Sequence, residues 1–214
     1  MKTGILFDLD GTLLNTLEDL QDSVNYALAQ YGCPPRTLSE VKEFIGNGAR
    51  KLIERSLPGK EKDPDVDEVL ATYQAYYKPH SRIKTKPYDG ILQALAEFSA
   101  KYPVAIVSNK PDAATKALCK DFFGDIYARG ESNDCPRKPA PDMLQKAMEI
   151  IGVDTCIYVG DSEVDVLTAQ NAGVPCLSVL WGLRSREQLV DAGAVHLCEA
   201  AADLPHAIQT ILRT

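Results

Sequence analysis

Short, wholly apolar runs alternate with segments of helical periodicity along this chain, and few folds accommodate that pattern. The runs are Gly4-Ile5-Leu6-Phe7, Val104-Ala105-Ile106-Val107, Ile157-Tyr158-Val159 and Cys176-Leu177-Ser178-Val179-Leu180. A strand with no polar alternation is one covered on both faces, as in a parallel sheet. Between the runs lie helical patterns: Ile91, Leu92, Leu95 and Phe98 after Asp89-Gly90, and Met143, Leu144, Ala147 and Ile151 after Pro141. Strands alternating with helices define an α/β class with a mainly parallel sheet.

One stretch interrupts the alternation. From Thr16 to Tyr88 no strand is expected, whereas Leu17, Leu20, Val24, Ala27, Leu28 and Tyr31 fit one long amphipathic helix. Further helices are expected over 38–44, 49–57 and 66–78, with breaks at Pro34-Pro35, Pro58-Gly59 and Asp63-Pro64. The division that follows is an α/β core of residues 1–15 and 88–214 and a helical insert of residues 16–87, hinged near Asn15-Thr16 and Lys86-Pro87-Tyr88. At 214 residues, with 45% hydrophobic and 25% charged, the chain can bury cores for both.

The segment Phe7-Asp8-Leu9-Asp10-Gly11-Thr12-Leu13 places two carboxylates at the end of a buried strand, where the ligand crevice of an open α/β sheet lies. Adjacent acids there repel unless a cation, hydrogen bonds or a shared proton compensates. Oxygen donors without a His/Cys cluster favour Mg²⁺. Taken alone, the pair could also be a chance acidic strand-to-turn junction.

This D-x-D-G-T segment resembles the first signature of the haloacid dehalogenase-like hydrolase superfamily. Three further elements of that pattern follow in order: Ser108-Asn109-Lys110 after a strand, Lys138-Pro139 opening a helix, and Gly160-Asp161-Ser162-Glu163-Val164-Asp165 after another strand. Each is weak alone, since a Ser can be a helix cap and a Lys a solvated charge. Together they form the set that phosphoryl transfer requires.

The resemblance implies a Rossmann-like, doubly wound core with an inserted all-helical cap domain. It also implies a phosphatase in which Asp8 is the nucleophile and forms an aspartyl-phosphate. Asp10 would act as acid and then base, with its carbonyl on the metal. Asp161 would complete the Mg²⁺ shell, which Asp165 would either join or support from behind. Ser108 would hold the phosphoryl group and Lys138 would neutralise charge, with Thr12 and Asn109 in support.

Within the insert, Phe44-Ile45-Gly46-Asn47-Gly48-Ala49-Arg50-Lys51-Leu52 resembles the cap of phosphoglycolate phosphatases. Gly48, Arg50 and Lys51 would then face a substrate carboxylate, making 2-phosphoglycolate the first substrate expected. The alternative is a simple turn with solvated cations. Pyrophosphatases, nucleotidases, sugar-phosphate phosphatases and β-phosphoglucomutases share such caps and stay open. A dehalogenase lacks the second acid, so Asp10 argues against it, and a non-catalytic binding protein would have no need of the whole set.

A net charge of −7, from 23 basic and 30 acidic residues, disfavours a nucleic-acid partner. Met1-Lys2-Thr3 does not read as the start of a signal peptide, and no window approaches eighteen apolar residues. Six scattered cysteines read as reduced thiols. The expected protein is cytoplasmic, off the membrane, a monomer or homodimer, and acts on a small phosphorylated metabolite. His80, His196 and His206 read as structural or exposed. The loop Trp181-Gly182-Leu183-Arg184 either borders the crevice or packs on the core.

Overall fold

The computed structural model describes residues 1–59 and 64–213, so the break expected at Asp63 lies outside the described residues. Six strands form one sheet: β1 (Thr3–Phe7), β4 (Val104–Pro111), β5 (Tyr127–Glu131), β6 (Thr155–Gly160), β7 (Cys176–Val179) and β8 (His196–Cys198). Their order is β5-β4-β1-β6-β7-β8, with every neighbouring pair parallel. Chain direction across the sheet reverses at β1, so the topological switch point lies at the carboxyl end of that strand.

The apolar runs hide an alternation that only the two layers reveal. Ile5, Phe7, Ile106, Ile157 and Val159 face one core with α5 (Ile91–Ser99), α6 (Asp112–Phe123) and α10 (Leu204–Leu212). Leu6, Ala105, Val107, Cys156 and Tyr158 face the other, with α7 (Asp142–Ile151) and α8 (Glu163–Ala172). Each fully buried Leu, Ile, Val or Phe contributes about 1.5–3 kcal/mol, which is why both faces must be covered.

The helices α1 (Leu17–Gln30), α2 (Leu38–Phe44), α3 (Gly48–Ser56) and α4 (Val66–His80) pack on one another around a third core. Leu20, Val24, Ala27 and Leu28 supply the inward stripe of α1, at the spacing read from sequence. A capping box starts α2: Glu40 N donates to Thr37 Oγ1 (3.2 Å) and Thr37 N to Glu40 Oε2 (2.8 Å). Among the described residues, no helix is long and apolar enough to cross a membrane.

The interval from Thr16 to Tyr88 is not wholly strand-free. β2 (Leu14–Asn15) and β3 (Lys86–Pro87) form a two-residue antiparallel ladder where the chain enters and leaves the helices. Buried Asp19 on α1 fastens the return, accepting from the N–H groups of Ile83 (3.1 Å), Lys84 (3.0 Å) and Thr85 (2.9 Å). Lys138-Pro139 does not open a helix as the sequence suggested. α7 begins at Asp142, and Lys138 lies in the loop before it.

Candidate active site

The three central strands β4, β1 and β6 deliver Ser108, Asp8 and Asp161 to one crevice. Asp8 N still donates to Val159 O (2.8 Å), so its backbone is fixed by the sheet itself. The turn after it needs Gly11. Its φ is +89°, and a Cβ there would sit 2.2 Å from Asp161 Oδ2. Both oxygens of Asp161 are held, Oδ1 by Thr12 Oγ1 (2.9 Å) and Oδ2 by Leu183 N (2.7 Å).

Asp8, Asp161 and Asp165 each bring a carboxylate oxygen to within 4.8 Å of the others, all buried. Lys138 Nζ donates to Asp8 Oδ1 (2.8 Å), Asp165 Oδ1 (2.7 Å) and Tyr158 Oη (2.8 Å), which uses all three of its protons. Asp165 Oδ2 meanwhile accepts from Ser162 N (3.1 Å) and Ser162 Oγ (2.6 Å), capping α8.

Three buried carboxylates against one ammonium leave negative charge without a partner. Burial pushes Asp8 well above the usual carboxylate range, against the pull of Lys138, and Asp165 and Asp161 push it further. Burial, then the charge of Asp165, raises Asp161 to about 7. Burial opposes the charge on Lys138, yet Asp165 and Asp8 together hold its pKa above the ordinary value. An all-oxygen, net-negative, buried cluster suits a small hard divalent cation.

The side chain of Asp10 stands outside this triad. It accepts from Thr16 Oγ1 (2.7 Å) and from Lys110 Nζ, 2.9 Å from each of its oxygens. Asn109 clamps the loop that carries Lys138: its Oδ1 accepts from Lys138 N (2.9 Å), while its Nδ2 donates to Lys138 O (2.9 Å) and to Gly46 O (3.1 Å). Ser108 Oγ accepts from Lys110 N at 3.2 Å.

A cavity of about 410 Å³ opens on these groups. Asp8, Asp10, Ser108, Asn109, Lys138 and Asp161 line its core side, and Gly48 lines its helical side. Gly46 and Gly48 form the α2–α3 turn with φ of +122° and +81°, and a Cβ on Gly48 would meet Glu131 Oε2 at 2.8 Å. Thr12 and Arg50 are not part of the wall. Thr12 is spent on Asp161, while Arg50 is exposed and ion-paired with Asp67. Lys51 pairs with Glu54 on the surface of α3.

Three site residues were not assigned a role from sequence. Lys110 belongs to the Ser-Asn-Lys segment expected to follow a strand; β4 instead continues through it to Pro111, and nothing in the sequence marked this lysine as buried. Tyr158 was read only as strand core. Arg184, 6% exposed, donates from Nε to Glu163 Oε2 (2.8 Å), from one terminal nitrogen to Lys42 O (3.0 Å) and from the other to Ile45 O (2.8 Å). The loop before it does border the crevice and also packs inward: Trp181 Nε1 donates to Thr12 O (3.0 Å), and Leu183 joins the helical core.

Known proteins resemble this chain over most of its length. A phosphoglycolate phosphatase of Cereibacter sphaeroides is 36% identical over 178 residues, covering 80% of this chain and 82% of that protein. One from Thiobacillus denitrificans is 35% identical over 214 residues, covering 92% and 93%. The crystal structure of a Lactobacillus delbrueckii subsp. bulgaricus protein, provisionally described as a phosphoglycolate phosphatase, superimposes with a TM-score of 0.88. It shares 34% identity over 97% of this chain and 99% of that one. The profile of the haloacid dehalogenase-like hydrolases matches residues 5–179, and the chain belongs to that family.

Proposed function

We propose that this chain is a Mg²⁺-dependent phosphatase that hydrolyses a small phosphate monoester through an aspartyl-phosphate on Asp8, with 2-phosphoglycolate as the first candidate substrate. The observation that carries the reading is the meeting of Asp8, Asp161 and Asp165 with the Lys138 ammonium at the end of β1, on the wall of a cavity. The substrate comes from the names of the relatives, which align over most of both chains.

Asp8 is the nucleophile. Its backbone is locked in the sheet and its carboxylate faces the cavity. Lys138 neutralises charge on Asp8 and on the phosphoryl oxygens, and Asp165 orients Lys138 from behind. Ser108 donates to a phosphoryl oxygen. Asp10 lies apart from the triad, where it can protonate the leaving oxygen and then take the proton of the attacking water. Mg²⁺ held by Asp8, Asp161 and the Asp10 carbonyl would neutralise the acidic cluster and template the phosphoryl oxygens.

Residues 16–87 act as the cap over a core of residues 1–15 and 88–214, excluding water when the ester is bound. The six cysteines, all free, accord with a reducing, cytoplasmic compartment. Phosphate release from 2-phosphoglycolate, pyrophosphate, sugar phosphates and nucleoside monophosphates, with Mg²⁺ and with chelator, tests the reading. Metal-dependent turnover with preference for 2-phosphoglycolate is expected. Preference for another ester would overturn the substrate, and no turnover of any ester would overturn the reaction.

A further inference from the structure

We infer that Lys110, a buried residue on the wall of the cavity, is the residue that reads the carboxylate of the substrate, and that the enzyme selects phosphate esters of α-hydroxy acids through it. The inference rests on the phosphatase reading above and concerns what the leaving group meets.

The position of Asp10 sets where that group must lie. If Asp10 protonates the ester oxygen, that oxygen comes within hydrogen-bond reach of its carboxylate. Lys110 Nζ sits 2.9 Å from both oxygens of the same carboxylate. A substituent one carbon removed from the ester oxygen is therefore placed beside Lys110. In 2-phosphoglycolate that substituent is the carboxylate.

The other cations do not serve. Lys138 has its three protons committed to Asp8, Asp165 and Tyr158. Arg50 is on the surface with Asp67. Lys78 and Arg82, near the end of α4, also line the cavity, but both are exposed to water, and Arg82 pairs with Asp121. Lys110 differs from all of them. Its side chain is 4% exposed, lies 4.9 Å over the ring of Tyr77, and makes side-chain hydrogen bonds to Asp10 alone among the described residues. An ammonium has three protons, so one remains for a ligand.

Leu20, Ile45, Leu52, Tyr73 and Tyr77 give the helical side of the cavity an apolar stretch, and Gln74, Lys78, Ser81 and Arg82 line it near the end of α4. A carboxylate buried against that apolar stretch without a cation would carry a large desolvation penalty, and Lys110 is the buried cation of the lining with a proton to spare.

The test compares 2-phosphoglycolate with 2-hydroxyethyl phosphate, in which the carboxylate is replaced by a neutral group. The readout is the ratio of the two kcat/KM values in wild type, Lys110→Met and Arg50→Met. Both values come from one preparation, so any loss of folded protein cancels in the ratio. Wild type is expected to prefer the acid, and Lys110→Met to lose roughly 100-fold of that preference, as when one partner of a buried charge pair is removed. Arg50→Met is expected to keep the preference. Preference surviving in Lys110→Met, or lost in Arg50→Met, would overturn the assignment while leaving the phosphatase reading intact. A wild type that does not discriminate would overturn the substrate reading and this assignment together.

Discussion

Lys138 Nζ lies 2.7 Å from Asp165 Oδ1, although 27 residues separate the two and both side chains are almost fully buried. The contact aims the ammonium at Asp8, because the other oxygen of Asp165 is fixed by Ser162 at the start of α8. Asp165→Asn keeps the shape but weakens the hold on the cation. Mg²⁺ affinity and kcat/KM are each expected to fall about 10–100-fold, as for other groups that orient a metal site's ligands. Metal titration by calorimetry together with initial rates checks this, and a change under threefold in both would contradict it.

Metal removal has a pH-dependent consequence. Burial lifts Asp161 from 3.8 to about 7 and lifts Asp8 as well, so the folded, metal-free chain binds protons more tightly than the unfolded chain. Where the native state holds more protons, stability falls as pH rises, here from about 4 up through about 7. In chelator the melting temperature is expected to drop between about pH 5 and about pH 8, and saturating Mg²⁺ to restore most at the upper end. Scanning calorimetry at the two pH values decides it; a metal-free protein that is more stable at the higher pH would contradict it.

Arg184 joins the core loop to the carbonyls that end α2, while its neighbour Leu183 holds Asp161. Misplacing that loop disturbs both the helical wall and the Asp161 carboxylate. Arg184→Met is expected to lower kcat/KM about 10–100-fold. Arg184→Lys should recover only part of this, because an ammonium lacks the planar fork that reaches Glu163 and two carbonyls at once. Trp181, the sole tryptophan, lies three residues away, so a shift in its emission should accompany the loss. Wild-type kcat/KM in Arg184→Met would remove this role.

Asp19 is expected to matter for stability more than for chemistry. Its carboxylate satisfies three successive N–H groups at Ile83, Lys84 and Thr85. Asp19→Ala should cost about 1–3 kcal/mol, because the buried Thr85 N–H is left unpaired while water can reach Ile83 and Lys84. Urea unfolding measures it, and a loss under about 0.5 kcal/mol would show that water replaces the carboxylate without penalty.

The strand ends carrying Asp8, Ser108 and Asp161 were legible because buried parallel strands are apolar throughout and stop abruptly at polar residues. Helices α1 and α2 were legible because their stripes follow the helical period. The edge strands β5 and β8 were not: Tyr127–Glu131 contains Arg129 and Gly130, and His196–Cys198 is only three residues long. The direction of Arg50 could not be read either, since one helical step decides between the cavity and the partners Asp67 and Glu54 on the surface. Lys110 and Arg184 escaped because long-range ion pairs leave no periodic trace, whereas Asp10 and its glycine turn are local.

The most direct test of the central claim is phosphate release by Asp8→Asn under saturating Mg²⁺. The amide fills the same space beside Lys138 but cannot attack phosphorus. The rate on the best ester is expected to fall by at least about 10⁴-fold, and acid-quenched wild type should carry phosphate on Asp8 that the variant lacks. A variant within tenfold of wild type, or phosphate found on another residue, would show that Asp8 is not the nucleophile.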